Sequence, residues 1–149
     1  MKVYLGADHR GFELKNKLKE WLFKNNYEVE DCGPTEYVKD DDFIDYAVAV
    51  SKNTVDTANS RGVLICGSGA GVEITANKIK GVRCSLGQSD GQIAKARNAD
   101  DINILALAGD FTGFDLAKNL VKTFLETGYD PAERHVRRIN KISELEKLT

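Results

Sequence analysis

Short apolar segments alternate with amphipathic stretches along the whole chain. Five segments, each bounded by glycine or polar residues, predict strands: Val3–Gly6, Glu28–Asp31, Gly62–Cys66, Val82–Leu86 and Asn103–Leu107. The segment Gly62–Cys66 is apolar on both faces. This is typical of a strand in a parallel sheet that helices cover on both sides.

Apolar side chains recur at helical spacing between these segments. Three stripes predict amphipathic helices that pack on the sheet: Leu14, Leu18, Trp21 and Leu22; Ile44, Ala47, Val48 and Ser51; and Leu116, Leu120, Phe124 and Leu125. Five successive βα units predict an α/β fold with an open, doubly wound sheet, formed by residues 1–149 as one domain. Ligands of such folds bind beyond the carboxyl ends of the strands.

A last amphipathic helix is predicted in residues 130–149, after the final βα unit. Ile139, Ile142 and Leu145 lie on one of its faces. No further strand follows for this helix to cover. We therefore expect the tail to dock on a partner subunit, with packing on its own domain as the alternative.

Composition and charge narrow the classes of function. The net charge of −2 predicts no non-specific binding to nucleic acid or to an anionic membrane. No apolar run approaches the length that spans a bilayer. The N-terminal segment Met1–Leu5 is too short for the apolar core of a signal peptide. Three cysteines without paired spacing favour a reducing compartment. The expected location is the cytoplasm.

The strongest local signal is a glycine-rich loop at a strand-to-helix junction. It consists of Cys66, Gly67, Ser68, Gly69, Ala70 and Gly71. Its three glycines allow a tight turn in which several backbone N–H groups point into one concavity, which suits a phosphate, a carboxylate or an enediolate. The positive electrostatic potential of these N–H groups also favours the thiolate of Cys66. We expect Cys66 to be solvent-accessible. The alternative is a buried cysteine before a structural turn.

Two nucleotide-binding motifs compete with this interpretation. The spacing GxGxG, with Asp90 downstream, partly resembles a dinucleotide site, but the loop follows the third strand rather than the first. A Walker A loop is excluded because no Gly-Lys-Ser/Thr follows the glycines. We therefore expect no nucleotide cofactor.

Asp8 and His9 follow the first predicted strand. In an open sheet they lie at the carboxyl edge beside the glycine loop, where the carboxylate could relay protons and the imidazole could contact an anion. The alternative is that Asp8 caps the next helix and that His9 is a surface residue.

A basic segment opens the terminal helix. Arg134, Arg138 and Lys141 share one helical face, and His135 lies between the two arginines. Such a face can bind phosphate, although basic stretches are also common on solvated helices.

The remaining cysteines and the histidine count are less informative. Cys84 and Cys32 are expected to be core or structural residues. The chain has only two histidines, His9 and His135, and no Cys/His spacing typical of zinc. We therefore expect no metal site.

These segments together resemble the family of ribose-5-phosphate isomerase B and the galactose-6-phosphate isomerase subunits. The similarity covers nearly the whole chain in order, through Ala7–Lys15, Asp31–Gly33, Asp42–Ala47, Cys66–Gly71 with Ala76–Ile79, Asn103–Leu105, and Arg134-His135 with Arg138. It implies a Rossmann-like five-stranded subunit and an aldose–ketose isomerase without a cofactor. It also implies a homodimer or tetramer with sites at the interface.

The resemblance implies roles for matching residues. Cys66 would be the base that removes the proton next to the carbonyl, with Asp8 and Ser68 assisting. The loop residues Gly67, Gly69, Ala70 and Gly71 would hold the enediolate. The remaining substrate contacts would come from His9, Asp100, Arg134, His135 and Arg138.

Several positions depart from the family's pattern. Ala99 replaces the ring-opening histidine, Asp100 replaces the asparagine after it, and Asp110 replaces a phosphate-binding arginine. A carboxylate at position 110 is expected to repel a phosphate. Two hypotheses follow: an active isomerase with an altered substrate, or a ligand-binding subunit without turnover that pairs with a homologous chain.

Overall fold

The computed structural model describes residues 1–149. Five strands and six helices alternate along the chain, in the order β1 (Lys2–Ala7), α1 (Phe12–Lys24), β2 (Glu28–Asp31), α2 (Phe43–Asp56), β3 (Ser60–Cys66), α3 (Ala70–Ala76), β4 (Cys84–Leu86), α4 (Asp90–Asp100), β5 (Ile104–Ala108), α5 (Phe114–Glu126) and α6 (Glu133–Leu145), and a 3₁₀ turn follows at Glu146–Leu148. None of the helices combines the length and apolarity needed to cross a membrane.

All five strands form one parallel sheet in the order β2-β1-β3-β5-β4. The central pairing joins β1 to β3 from Lys2 opposite Ser60 to Ala7 opposite Ile65. The chain passes from β1 to β2 on one side and then returns to β3 on the other. The carboxyl ends of β1 and β3 therefore border the crevice in which doubly wound folds bind ligands.

Helices cover both faces of the sheet. One apolar cluster lies under α1, α4 and α5 and includes Leu5, Ile65, Leu107 and Phe124. The other lies under α2 and α3 and includes Cys66. Because side chains alternate along each strand, neighbouring residues such as Ile65 and Cys66 enter opposite clusters.

The predicted α/β class, the five parallel strands and the amphipathic helices are confirmed. The fourth strand is shorter than predicted, because it begins at Cys84. Two residues of the predicted stripes do not contribute to the core, since Ile44 and Leu116 are 47% and 41% exposed at the first turns of their helices. The fully buried stripe residues come mainly from later turns.

The predicted terminal helix exists as α6 and contacts α4 of its own chain. His135 is buried near its start, and the Gly81 N–H donates a 2.9 Å hydrogen bond to Glu146 Oε1 just beyond its end. Ile142 and Leu145 nevertheless remain 42% and 63% exposed. Docking of this helix on a partner subunit stays a prediction.

A buried ion pair ties α1 to the end of β2. Lys15 is fully buried, and its Nζ lies 2.8 Å from both carboxylate oxygens of Asp31 and 3.0 Å from the Pro34 carbonyl oxygen. All three ammonium hydrogens thus have acceptors. Asp31 Oδ1 also accepts a hydrogen bond from the Gly33 backbone N–H at 2.9 Å. This network fixes the start of the loop that runs from β2 to α2.

Replacing Lys15 by methionine tests the importance of this pair. The Lys15→Met variant removes the buried counter-ion of Asp31 and leaves only the partly exposed Lys19, 3.2 Å from Asp31 Oδ2. Loss of one partner of a buried ion pair costs about 3–5 kcal/mol. Urea unfolding should show a correspondingly lower free energy of unfolding. The control is Lys17→Met, two residues further along the same helix, which removes only an exposed ion pair with Glu13. Equal losses in the two variants would contradict the role assigned to Lys15.

Candidate functional site

Three segments meet at the carboxyl edge of the sheet. Asp8 follows β1, Cys66 ends β3 and Asp110 follows β5. Backbone hydrogen bonds hold these segments together, because Asp8 N–H donates to the Ile65 carbonyl at 3.3 Å and Asp110 N–H donates to the Gly67 carbonyl at 3.0 Å. The parallel pairing therefore gathers residues from distant parts of the sequence beside the glycine loop.

The glycine loop has the form that an anion-binding nest requires. Gly69 has φ +77°, and a Cβ there would lie 2.4 Å from a Leu86 methyl and 3.1 Å from the Leu107 backbone. The backbone N–H groups of Gly67, Ser68 and Gly69 donate to no acceptor in the chain. Ser68 is exposed, and its Oγ accepts a 3.3 Å hydrogen bond from the Ala70 N–H. Three donors thus remain open to a ligand.

Cys66 lies at the predicted strand end, but its predicted solvent accessibility is wrong. Its side chain is only 4% exposed, because it points to the sheet face covered by α2 and α3 and joins the apolar cluster there. Phe43 of α2 packs against the same cluster, and its ring lies 2.6 Å from the position a Cβ on Gly71 would occupy. The thiol therefore lies beside the loop, within the apolar cluster against which Phe43 packs.

Asp8 is 95% buried and organises the turn that precedes α1. Its Oδ1 accepts hydrogen bonds from the Arg10 and Gly11 backbone N–H groups at 2.9 and 3.2 Å. Burial raises the pKa of Asp8, and these two hydrogen bonds offset part of that effect. Its Oδ2 has no hydrogen bond in the chain, so one oxygen organises the turn while the other is available to a ligand.

His9 is held by Asp41, which is held in turn by Tyr46, and neither residue was predicted to belong to the site. Asp41 Oδ1 lies 2.7 Å from the His9 backbone nitrogen and 2.9 Å from the ring Nδ1, and the Tyr46 hydroxyl donates a 2.9 Å hydrogen bond to Asp41 Oδ2. Since a carboxylate only accepts, Nδ1 carries the hydrogen and Nε2 is left for a ligand. No pattern in the sequence distinguished Asp41 from the other acidic residues around it.

The hydrogen bonds among His9, Asp41 and Tyr46 favour an ionised Asp41. Burial by itself would raise the pKa of Asp41, but hydrogen bonds from the His9 backbone, the His9 ring and the Tyr46 hydroxyl hold it below its ordinary value. Burial and the bond to Asp41 raise the pKa of Tyr46 to about 12. The tyrosine therefore stays a hydrogen-bond donor at neutral pH.

Asp110 is not the unpaired negative charge that its position predicted. Arg10 binds it through Nε, at 3.0 Å from Oδ1 and 3.1 Å from Oδ2, and through Nη2, at 2.6 Å from Oδ2. This two-point pair joins residues 100 positions apart in sequence. The pair as a whole has no net charge. The prediction that an unpaired Asp110 repels a phosphate is therefore wrong.

Asp8, His9 and Asp41 each place one possible metal-ligand atom within 4.8 Å of the others. Asp41 Oδ1 and His9 Nδ1 bond to each other, and Asp8 Oδ1 accepts two backbone N–H groups. A metal bound through these atoms would have to compete with those bonds, whereas Asp8 Oδ2 and His9 Nε2 have none. The expectation that the chain uses no metal stays a prediction.

The other residues of the predicted site lie at the opposite edge of the sheet. Asp100 ends α4 just before β5 begins, so it lies at the amino edge, and half-buried Ala99 precedes it. The chain beyond α5 returns to α4, where the Asp130 N–H donates a 2.9 Å hydrogen bond to the Asn98 carbonyl. The helix α6, which carries Arg134, His135 and Arg138, begins shortly after this contact.

The three residues of α6 that belong to the predicted site differ in their surroundings. Arg134 and Arg138 are exposed and have no ion pair within the chain. His135 is 95% buried, and its Nδ1 lies 2.9 Å from the Asp130 carbonyl oxygen. The structure therefore brings Asp8, His9, Cys66 and the glycine loop together, and it separates Asp100 and the α6 residues from them within one chain.

Comparison with known sequences identifies a family. The model of the family described as ribose/galactose isomerase matches residues 3–142. Ribose-5-phosphate isomerase B of Mycobacterium tuberculosis strain H37Rv is 38% identical over 147 residues, which cover 99% of this chain and 91% of the relative. The protein named putative sugar phosphate isomerase YwlF of Bacillus subtilis is 37% identical, covering 99% and 98% of the two chains.

Solved structures agree with this result. A ribose 5-phosphate isomerase of Thermotoga maritima superposes with a TM-score of 0.89 at 40% identity, covering 96% of this chain and 97% of that chain. Ribose-5-phosphate isomerase B of Mycoplasma genitalium, solved with bound ribulose-5-phosphate, gives 0.92 at 36% identity, covering 99% and 97%. Sequence and fold agree over nearly the whole length. The chain belongs to the ribose/galactose isomerase family.

Proposed function

We propose that this chain is an aldose–ketose isomerase of sugar phosphates of the ribose 5-phosphate type. The observation that carries the proposal is the set of three unpartnered backbone N–H groups at Gly67–Gly69, next to Cys66 and Asp8. Aldose–ketose isomerisation passes through an enediolate, whose oxygen becomes negative in the transition state. Donors fixed in advance around that oxygen provide the stabilisation that such a reaction requires.

Cys66 is the proposed base. As a thiolate it removes the proton from the carbon next to the substrate carbonyl, and the electron pair moves to the carbonyl oxygen to form the enediolate. The thiol then returns a proton to the former carbonyl carbon. The free oxygen of Asp8 moves the second proton between the two substrate oxygens, and the Ser68 hydroxyl assists the loop in holding the enediolate. No proton or electron is gained or lost overall.

The remaining contacts are proposed to come from two subunits. His9 Nε2 contacts the substrate from the same chain as Cys66. Arg134 and Arg138, at the opposite edge of the sheet and unpaired, bind the phosphate in the site of a neighbouring subunit, and Asp100 contributes from the same side. The partly exposed apolar face of α6 supports such an interface. A homodimer fulfils this geometry, and a tetramer or a heteromer with a homologous chain would also do so.

A second candidate function has one specific observation in its favour. Ala99 offers no acid–base group, and Asp100 beside it is exposed. Ring opening of an aldose phosphate needs such a group near the ring oxygen. The chain would then act on a different sugar phosphate, or bind a sugar phosphate without turnover.

Substitution of Cys66 tests the proposed base. Cys66→Ala should lower kcat/KM for the interconversion of ribose 5-phosphate and ribulose 5-phosphate by about 10²–10⁴-fold, because the proton-abstracting group is lost. The circular dichroism spectrum should remain unchanged. Cys32→Ala, at a half-buried thiol after β2, is the control and should keep its activity. Comparable activity of Cys66→Ala and wild type would contradict the mechanism.

Substrate preference tests the consequence of Ala99. A tetrose 4-phosphate cannot close a five-membered ring, because its O4 carries the phosphate, so its isomerisation needs no ring-opening group. We expect kcat/KM to be higher for erythrose 4-phosphate than for ribose 5-phosphate, and Ala99→His to raise the ribose 5-phosphate value selectively. Equal or higher activity on ribose 5-phosphate in the unmodified chain would refute this preference.

A further inference from the structure

The ion pair between Arg10 and Asp110 leaves much of the guanidinium unused. Arg10 binds Asp110 through Nε and Nη2, while Nη1 has no hydrogen bond in the chain. The Arg10 side chain is 56% exposed, whereas that of Asp110 is 32% exposed. Because a guanidinium carries five N–H donors, at least two of them remain open to a second anion.

This pair lies directly on the glycine loop. A Cβ placed on Gly67 would lie 2.9 Å from Asp110 Oδ2 and 3.5 Å from Arg10 Cγ. Arg10 also lines a groove of about 460 Å³ together with His9, Asn16 and Tyr37. Arg10 therefore borders both the nest of open N–H groups and the side chain of His9.

The charges at this edge favour a cation as part of a phosphate site. The carboxylates of Asp8 and Asp41 lie here and would repel a phosphate dianion, whereas Asp110 is already paired with Arg10. Lys15 cannot compensate, because it is fully buried against Asp31. Within one chain, Arg10 is the guanidinium that contacts the loop segment.

We propose that Arg10 binds the phosphate of the substrate and that the negative charge of Asp110 weakens this binding. The two residues together then determine the affinity for the phosphate group. The proposal rests on the proposed function in one respect: it takes a sugar phosphate as the ligand. Asp110 has two opposing effects. It holds the guanidinium in place over Gly67, and its charge cancels part of the attraction for an incoming anion.

Two variants that each remove one charge separate these effects. Arg10→Gln removes the cation, whereas Asp110→Asn keeps an acceptor for Arg10 and removes only the negative charge. By isothermal titration calorimetry, Arg10→Gln should weaken the binding of ribose 5-phosphate and inorganic phosphate by about 10-fold or more. Asp110→Asn should tighten both by about threefold or more. The double variant should bind both ligands more tightly than Arg10→Gln, because it also lacks the Asp110 carboxylate, which Arg10→Gln leaves unpaired.

The matched control is the pair of Lys2 and Glu30 at the opposite edge of the sheet. Its atoms lie 2.6 Å apart, and Lys2 begins the strand that Arg10 follows. Lys2→Gln and Glu30→Gln change the charge by the same amounts and should leave both affinities unchanged. Binding of unphosphorylated ribose should not respond to any variant.

Several outcomes would overturn the proposal. Unchanged affinity in Arg10→Gln would show that this residue does not contact the anion, and weaker binding in Asp110→Asn would show that Asp110 only positions it. Failure of the wild-type chain to bind either phosphate compound would overturn it as well. Because inorganic phosphate binds without turnover, a chain that binds it but does not isomerise ribose 5-phosphate refutes the proposed function and still tests Arg10.

Discussion

The parallel pairing of β1 with β3 determines where every reactive group of this chain lies. Because the two strands run in the same direction and in a fixed register, Asp8 and Cys66 reach the same edge of the sheet. The pairing of β3 with β5 adds Asp110 to that edge. The same rule places Asp100, which precedes β5, at the opposite edge. One chain therefore contains the proposed proton-transfer groups but holds its α6 arginines elsewhere.

Charge balance connects this geometry with assembly. The carboxyl edge carries several carboxylates but, in contact with the glycine loop, one guanidinium, that of Arg10, which Asp110 already neutralises in part. The exposed arginines of α6, in contrast, are cations without an anionic partner in their own chain. Two copies related by a twofold axis would satisfy both requirements, because each would supply cations to the other's site.

Local patterns predicted most of the fold but only part of the site. Strands and the glycine loop follow from consecutive residues, so hydrophobic periodicity and glycine spacing were sufficient to find them. The contact of His9 with Asp41 joins residues 32 positions apart, and that of Arg10 with Asp110 joins residues 100 apart. Neither contact produces a periodic pattern in the sequence. The burial of Cys66 likewise depends on the packing of α2 and α3 over the strand end, which no local pattern encodes.

The central claim is that each site combines the proton-transfer groups of one chain with the cations of another. Activity in mixtures of two inactive variants, Cys66→Ala and Arg138→Ala, tests it most directly after the subunits are dissociated and reassembled together. Random reassembly into dimers should restore about a quarter of the wild-type activity, since half of the dimers then contain one intact site. No recovery in mixtures whose heterodimers are confirmed by native mass spectrometry would contradict the account.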